Sequence, residues 1–280
     1  MTDLPFKFDE IGVWSELKLE IIEQYGAAYT KAFSRTPNLK KYYIDGFSGA
    51  GVHIAKKTKQ HVEGSPSRAL KVRPPFDGYC FIDLNADKTE YLKGLCGDRR
   101  DVDIHTGDSN EYLTKTVLPT IQYEKFTRAL CLLDPYALHL DWEVILQAGR
   151  SRAVDLFLNF PVMDMNRNAI WRNPENVAQS DIERMNRFWG DDSWRGIAYL
   201  ESPQGNFLFG PEMVKQPNDA IVAAFGKRLR EVAGFGFVPD PLPMRNSRNA
   251  VVYYLFLASP KAVAQKIITD IFDKYRKRRE

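Results

Sequence analysis

Short apolar runs that end in a polar or acidic residue recur along the chain, at 42–45, 79–83, 102–105, 130–134 and 156–159. Stretches with helical spacing separate them. Strands of a parallel sheet, buried on both faces and carrying their functional groups at their C-terminal ends, have this pattern. Positions 13–33 predict an amphipathic helix with Leu17, Ile21, Tyr25 and Ala28 on one face. Positions 219–233 predict another, with Ile221, Val222, Phe225, Leu229 and Val232 together. Between that helix and a final one, 250–258 is a long apolar strand, and 235–238 is its expected antiparallel partner. Ser65-Pro66 and Ser259-Pro260 each predict a helix start, with the serine as N-cap and the proline first in the helix.

Two stretches do not fit a minimal doubly wound sheet. One is 52–64, expected to be a basic loop. The other is 162–217, expected to be an insertion or cap within a single domain spanning 1–280. It carries Trp171, Trp189 and Trp194 among Arg167, Arg172, Arg184, Arg187 and Arg195. Such side chains stack on bases and pair with phosphates, or they pack as a helical cap on the sheet. Both readings stand.

Composition narrows the classes. At 44% hydrophobic and 27% charged residues, the chain has ample apolar material for a core. No apolar run approaches the ~18–20 residues that cross a bilayer, and the first ten residues hold no signal-peptide core. No membrane partner is expected. Cys80, Cys96 and Cys131 form neither a zinc pattern nor a disulfide framework, which fits a reducing cytoplasm. The net charge of +3 does not by itself imply a nucleic-acid partner. Its distribution has two clusters, Lys56, Lys57 and Lys59, and the five basic residues at 274–279. They read as phosphate contacts or as a solvated loop and helix end.

The candidate chemistry starts at 43–51, Tyr-Ile-Asp-Gly-Phe-Ser-Gly-Ala-Gly. Gly49 and Gly51 let the backbone approach a ligand closely. Asp45 adds a negative charge where a pyrophosphate binder would avoid one. Together with Phe47 they suit the cationic, amino-acid-like end of S-adenosylmethionine. Asp83, ending the second strand, suits a pair of ribose hydroxyls or caps a helix. Asp108, after the third, suits the adenine amino group or caps a helix. The fourth strand ends Asp134-Pro135-Tyr136. Asp134 there accepts a hydrogen bond from a substrate amino group, Pro135 stiffens the turn, and Tyr136 packs on a planar substrate. Transfer of a methyl group then needs positioning more than a strong base. Asn159 joins the same edge after the fifth strand. Lys18, on the first helix, reaches a cofactor carboxylate or stays an exposed helical lysine. No histidine pair has metal-ligand spacing, so no metal is expected. A nicotinamide dehydrogenase would need its glycine turn to pass directly into a helix, which the 13 residues from Val52 to Gly64 prevent.

Five parallel strands followed by an antiparallel pair suit the Rossmann-like α/β plan of class I methyltransferases. The segments IDGFSGAG from Ile44, GSPSRAL from Gly64, DPY from Asp134 and NFP from Asn159, with Trp14 and Lys18, resemble the three-Cys-motif partner proteins. That resemblance implies a methyltransferase-like fold and a partner with a three-cysteine motif. A more distant similarity is to amino-methyltransferases of adenine in DNA or ribosomal RNA, whose fourth strand ends Asp/Asn-Pro-Pro-aromatic. Here the aromatic Tyr136 comes one residue early and Ala137 takes its place. The expected function is methyl transfer from S-adenosylmethionine to an amino nitrogen, of a nucleobase in nucleic acid. The alternative is a cofactor-binding subunit of a three-cysteine-motif, radical or metal-dependent, protein.

Overall fold

The computed structural model describes residues 5–201, 213–246, 248–261 and 263–277. Residues 202–212 of the expected insertion, and the end of the basic terminus at 278–280, lie outside the described residues. The first part of the chain forms β1 (Glu10–Ile11), α1 (Val13–Phe33), β2 (Lys40–Asp45), β3 (Val52–Ala55), β4 (His61–Glu63) and α2 (Ser65–Ala69). There follow β5 (Gly78–Asp83), α3 (Ala86–Cys96), β6 (Val102–Thr106), α4 (Ser109–Tyr112), β7 (Thr127–Leu133), α5 (Trp142–Arg150) and β8 (Val154–Phe160). The remainder holds α6 (Val162–Asn168), α7 (Gln179–Trp189), α8 (Trp194–Ala198), β9 (Tyr199–Glu201), β10 (Met213–Lys215), α9 (Asn218–Glu231), β11 (Leu242–Arg245), β12 (Val251–Ala258) and α10 (Val263–Lys277).

Seven strands make the main sheet in the order β11-β12-β8-β7-β2-β5-β6. The five from β6 to β8 are mutually parallel, and β12 runs antiparallel to both β8 and β11. Numbered by their turn in the chain, these strands read 3-2-1-4-5-7-6. Five parallel strands closed by a reversed penultimate one define the Rossmann-like class I methyltransferase fold. The strand order reverses between β2 and β7, and in open α/β sheets ligands bind at that switch, outside the C-terminal strand ends.

Apolar layers cover both sheet faces. On one, Trp142, Phe188, Trp189, Trp194, Phe225 and Phe256 pack together. On the other, Tyr25, Tyr43, Phe81, Phe157, Phe272 and Tyr275 bring α1 and α10 onto the sheet. The helical face of α1 that is buried includes Lys18, Ile21, Ile22, Tyr25 and Tyr29, so a lysine one turn before Ile22 is carried inward with it. At the far edge of the sheet, buried Asp155 accepts hydrogen bonds from the Tyr25 hydroxyl (2.6 Å) and the Ser259 hydroxyl (2.7 Å). Burial pushes this carboxyl up to about 6, while the two hydroxyls oppose the rise. Tyr25→Phe is therefore expected to cost ~1.5–3 kcal/mol, and more near pH 8 than near pH 5, because only ionised Asp155 loses a charge-assisted bond. Urea unfolding at both pH values checks this; an equal cost at each would rule out the carboxylate as the cause.

Four local expectations are corrected. The stretch 52–64 is a hairpin, β3 and β4 pairing antiparallel, with β1 added parallel to β3. The partner of β12 is β11; 235–238 contributes a single bridge, Phe237 to Ser259. Ser65 is already inside α2, whose N-cap is Gly64. Ser259 is held by that bridge and by Asp155, so it does not cap α10. At the hairpin, at β11 and at Ser259, tertiary pairing satisfied the backbone where local chemistry alone would have placed a turn or a cap. Trp189 and Trp194 are core residues of the 162–217 stretch, whereas Trp171 is 40% exposed.

Candidate functional site

At the C-terminal ends of three neighbouring strands, β8, β7 and β2, stand Asn159, Asp134 and Asp45. Asp45 is the last residue of β2 and has no solvent exposure. Its Oδ1 accepts the Phe47 amide at 3.2 Å, while its Oδ2 is buried without a hydrogen-bond partner. Burial raises this carboxyl from 3.8 to about 7, with the nearby Ser65 hydroxyl, the Phe47 amide and the Lys18 ammonium pulling the other way. Asp134 follows β7 directly. Its Oδ1 accepts the Asn159 amide at 2.6 Å and its Oδ2 accepts a very short bond from Lys18 Nζ. Asn159 Oδ1 is a second buried acceptor that has no donor.

Lys18 is 6% exposed, so it is not the solvated helical lysine of the alternative reading. Burial works against its charge, but Asp134, Tyr253 and Asp45 outweigh it and hold the ammonium above its ordinary pKa. The cluster has two carboxyl groups and one ammonium, and two of its oxygens, Asp45 Oδ2 and Asn159 Oδ1, have no donor. It lacks hydrogen-bond donors and positive charge. A ligand carrying an ammonium or amino group supplies both.

The glycine turn closes this floor on one side. Gly49 and Gly51 have φ of 59° and 74°, conformations that side chains rarely adopt. A Cβ on Gly51 would also lie 2.8 Å from Leu92 Cδ1. The turn is anchored across the sheet: the Gly49 N–H donates to Asp83 Oδ2 at 2.8 Å, and the Ser48 N–H to the Ile82 carbonyl at 2.9 Å. Phe47 packs partly buried against the core. Asp83 also accepts the Asn85 amide at 2.9 Å, and the α3 N-cap is Asn85, so the helix-cap reading of Asp83 does not hold. Asp108 does cap α4, accepting the Glu111 amide at 3.0 Å. Pro135 and Tyr136 extend from the β7 end, Tyr136 with 85% exposure.

Thus Lys18, Asp45, Phe47, Gly49, Gly51, Asp83, Asp108, Asp134, Pro135 and Tyr136 all lie on α1 or at the C-terminal ends of parallel strands. Lys18 and Asn159 both donate to Asp134, and the Asp83 carboxylate accepts from the backbone of the glycine turn. Two further residues were not singled out from sequence. Leu84, next to Asp83, is 76% exposed, an apolar surface at the ligand edge. His53, on the hairpin, has a buried Nδ1 without a partner. Burial and the Lys18 charge hold it below its ordinary pKa, so the ring is neutral at pH 7. A basic loop offered no signal for it; in the hairpin it pairs with Val62. Among the described residues, no group of three His, Cys, Asp or Glu is arranged to hold a metal, and no helix is long and apolar enough to cross a membrane.

No protein-family model matches the sequence, and no curated protein does. Solved structures similar to the chain include protein LPL1258 of Legionella pneumophila, with 11% identity, 89% and 88% of the two chains covered and a TM-score of 0.49. An S-adenosylmethionine-dependent methyltransferase of Mesorhizobium loti has 10% identity, covers 83% of this chain and 97% of its own, and has a TM-score of 0.36. Fibrillarin of Aeropyrum pernix, solved with natively bound S-adenosylmethionine, has 10% identity, 85% and 76% coverage and a TM-score of 0.35.

Proposed function

We propose that the protein is an S-adenosylmethionine-dependent methyltransferase acting on an amino nitrogen, that of a nucleobase in nucleic acid. The observation that carries this reading is the row Asn159, Asp134 and Asp45 at the sheet's switch point, with two buried acceptor oxygens, Asp45 Oδ2 and Asn159 Oδ1, that make no hydrogen bond. Asp45 would accept from the α-ammonium of the cofactor, and Lys18 would face its carboxylate. The glycine turn lets backbone N–H groups lie against it. Asp83 keeps lone pairs free for ribose hydroxyls beside the two amides it accepts, Leu84 offers an apolar face to adenine, and Asp108 lies at the adenine end. When bound, this cofactor supplies an electrophilic methyl group on sulfonium. Asp134 and Asn159 would accept the N–H groups of the acceptor, which turns its nitrogen lone pair away from them. Pro135 fixes that turn and Tyr136 stacks on a planar acceptor. The single-domain reading, with 162–217 as its cap, belongs to this proposal, as does a cytoplasmic location.

A second reading, a cofactor-holding subunit of a three-cysteine-motif partner, is favoured by the β7 end itself. Ala137 stands left-handed at φ 55° where the similar adenine enzymes carry an aromatic. Turnover by the protein alone would decide against it.

Calorimetry with S-adenosylmethionine and S-adenosylhomocysteine, and NAD as control, tests the cofactor. Binding to NAD alone would overturn the assignment. Asp83→Ala is expected to weaken binding more than about tenfold, because it removes a charged acceptor and frees the Gly49 N–H that sets the turn. Unchanged affinity in that variant would remove the ribose role.

A further inference from the structure

The first helix of the cap, α6, starts one residue beyond β8 and so leaves from the ligand edge of the sheet. Its seven residues make about 10 Å of helix. It forms one wall of an open cavity of about 870 Å³, with Asn166, Arg172, Glu175, Lys215, Gln216 and Asn218 among its lining. The charges are unbalanced. Lys215 is half-buried, and among the described residues its ammonium donates only to neutral oxygens, Asn166 Oδ1 at 2.6 Å and the Ile170 carbonyl. Arg167 and Arg172 are exposed and make no ion pair among the described residues. Arg184 and Arg187 of the same cap, by contrast, have Asp181 and Asp141. Among the described residues, Glu175 is the one acid of the lining. A half-buried ammonium without a carboxylate is costly unless an anion reaches it.

Beside these cations stands Trp171. Its Nε1 is tied to the Arg167 carbonyl at 2.6 Å, which fixes the ring while 40% of the residue remains exposed. Arg172 and Lys215 line the groove, and Trp171, next to Arg172 in the chain and bonded to the Arg167 carbonyl, adds a fixed aromatic platform with one more exposed cation; together these are the chemistry that holds a flexible polyanion with stackable rings. We infer that Arg167, Trp171, Arg172 and Lys215 form a track for a single-stranded nucleic acid, running from the cap to the strand ends. The phosphates lie on the cations and one base stacks on Trp171. Its direction toward Asp134 and Tyr136 rests on the proposed methyl transfer; its capacity to bind does not. Phosphate and base face are common to RNA and DNA, so the sugar is left to the test.

The experiment is fluorescence anisotropy with short labelled oligo(U) and oligo(dT), without cofactor, across a salt series. Arg167→Gln/Arg172→Gln is expected to bind about tenfold more weakly, with a salt slope shallower by roughly one to two. Trp171→Ala is expected to weaken binding and leave the slope unchanged. Arg150→Gln, an exposed arginine at the opposite sheet edge, is expected to change neither. Melting temperatures confirm that the surface variants fold. Preference for one oligonucleotide names the polymer. No binding by the native protein, equal losses in the Arg150 variant, or tighter binding of a duplex would each overturn the track. Because cofactor calorimetry contains no nucleic acid, failure here and failure of the cofactor site are separate results.

Discussion

Asp45→Asn is expected to raise the melting temperature near pH 8 while removing S-adenosylmethionine binding. The carboxyl is fully buried, one oxygen has no donor, and burial holds it at about 7 against an ordinary 3.8. Ionising it in the folded state thus costs up to roughly 4 kcal/mol. The sign follows from proton binding. Between pH 4 and 7 the folded chain holds a proton that the unfolded chain has released. Stability from this group is therefore complete below about pH 4 and is lost as pH rises through 7. An amide has no such dependence, so the variant should gain several degrees near pH 8 and nothing near pH 4. The same substitution removes the negative partner of the cofactor's ammonium. Circular dichroism melts across this range and calorimetry check the two halves. Native binding near pH 7 should also release a proton, seen as a buffer-dependent heat. A variant that melts lower near pH 8, or binds the cofactor as tightly as the native chain, would remove Asp45 from the site.

Asp134→Asn is expected to reduce methyl transfer at least 100-fold and leave cofactor affinity within a few-fold. The amide keeps the shape of the carboxylate but not its charge. Its loss strands the Lys18 ammonium, which has 93% of its side-chain surface buried. Since Asp134 itself is one-third exposed, solvent screens part of that cost, and destabilisation of ~1–3 kcal/mol is expected. Lys18→Met added to the variant should recover much of this stability and none of the turnover. That pattern separates a positioning role at the acceptor from support of the fold. Full turnover in Asp134→Asn would end the acceptor role, and a double variant no more stable than the single would show that the ion pair is not what the substitution breaks.

The strands were legible because burial on both faces writes a continuous apolar run, and each run stopped at a polar residue within a residue or two of the observed end. The helical faces of α1 and α9 were legible for the same reason, a period set by burial, except at Val232, which the helical spacing placed on the buried face of α9 but which follows the helix end and is 47% exposed. The hairpin at 52–64 was not. Its residues are basic and partly exposed, and it is a hairpin because β1, some forty residues earlier, offers a free edge. The β11 pairing likewise depended on which segment β12 met after the turn.

From the chain alone came the alternation of strands and helices, and the residue types at the strand ends, since local patterning and turn chemistry act over a few residues. Tertiary structure alone decided that Lys18 lies against Asp134 across 116 positions, that Asp45 is without solvent, and that Trp171 but neither Trp189 nor Trp194 faces outward. Those facts depend on packing between distant segments, and the charge balance of the candidate site exists only once the sheet has gathered them.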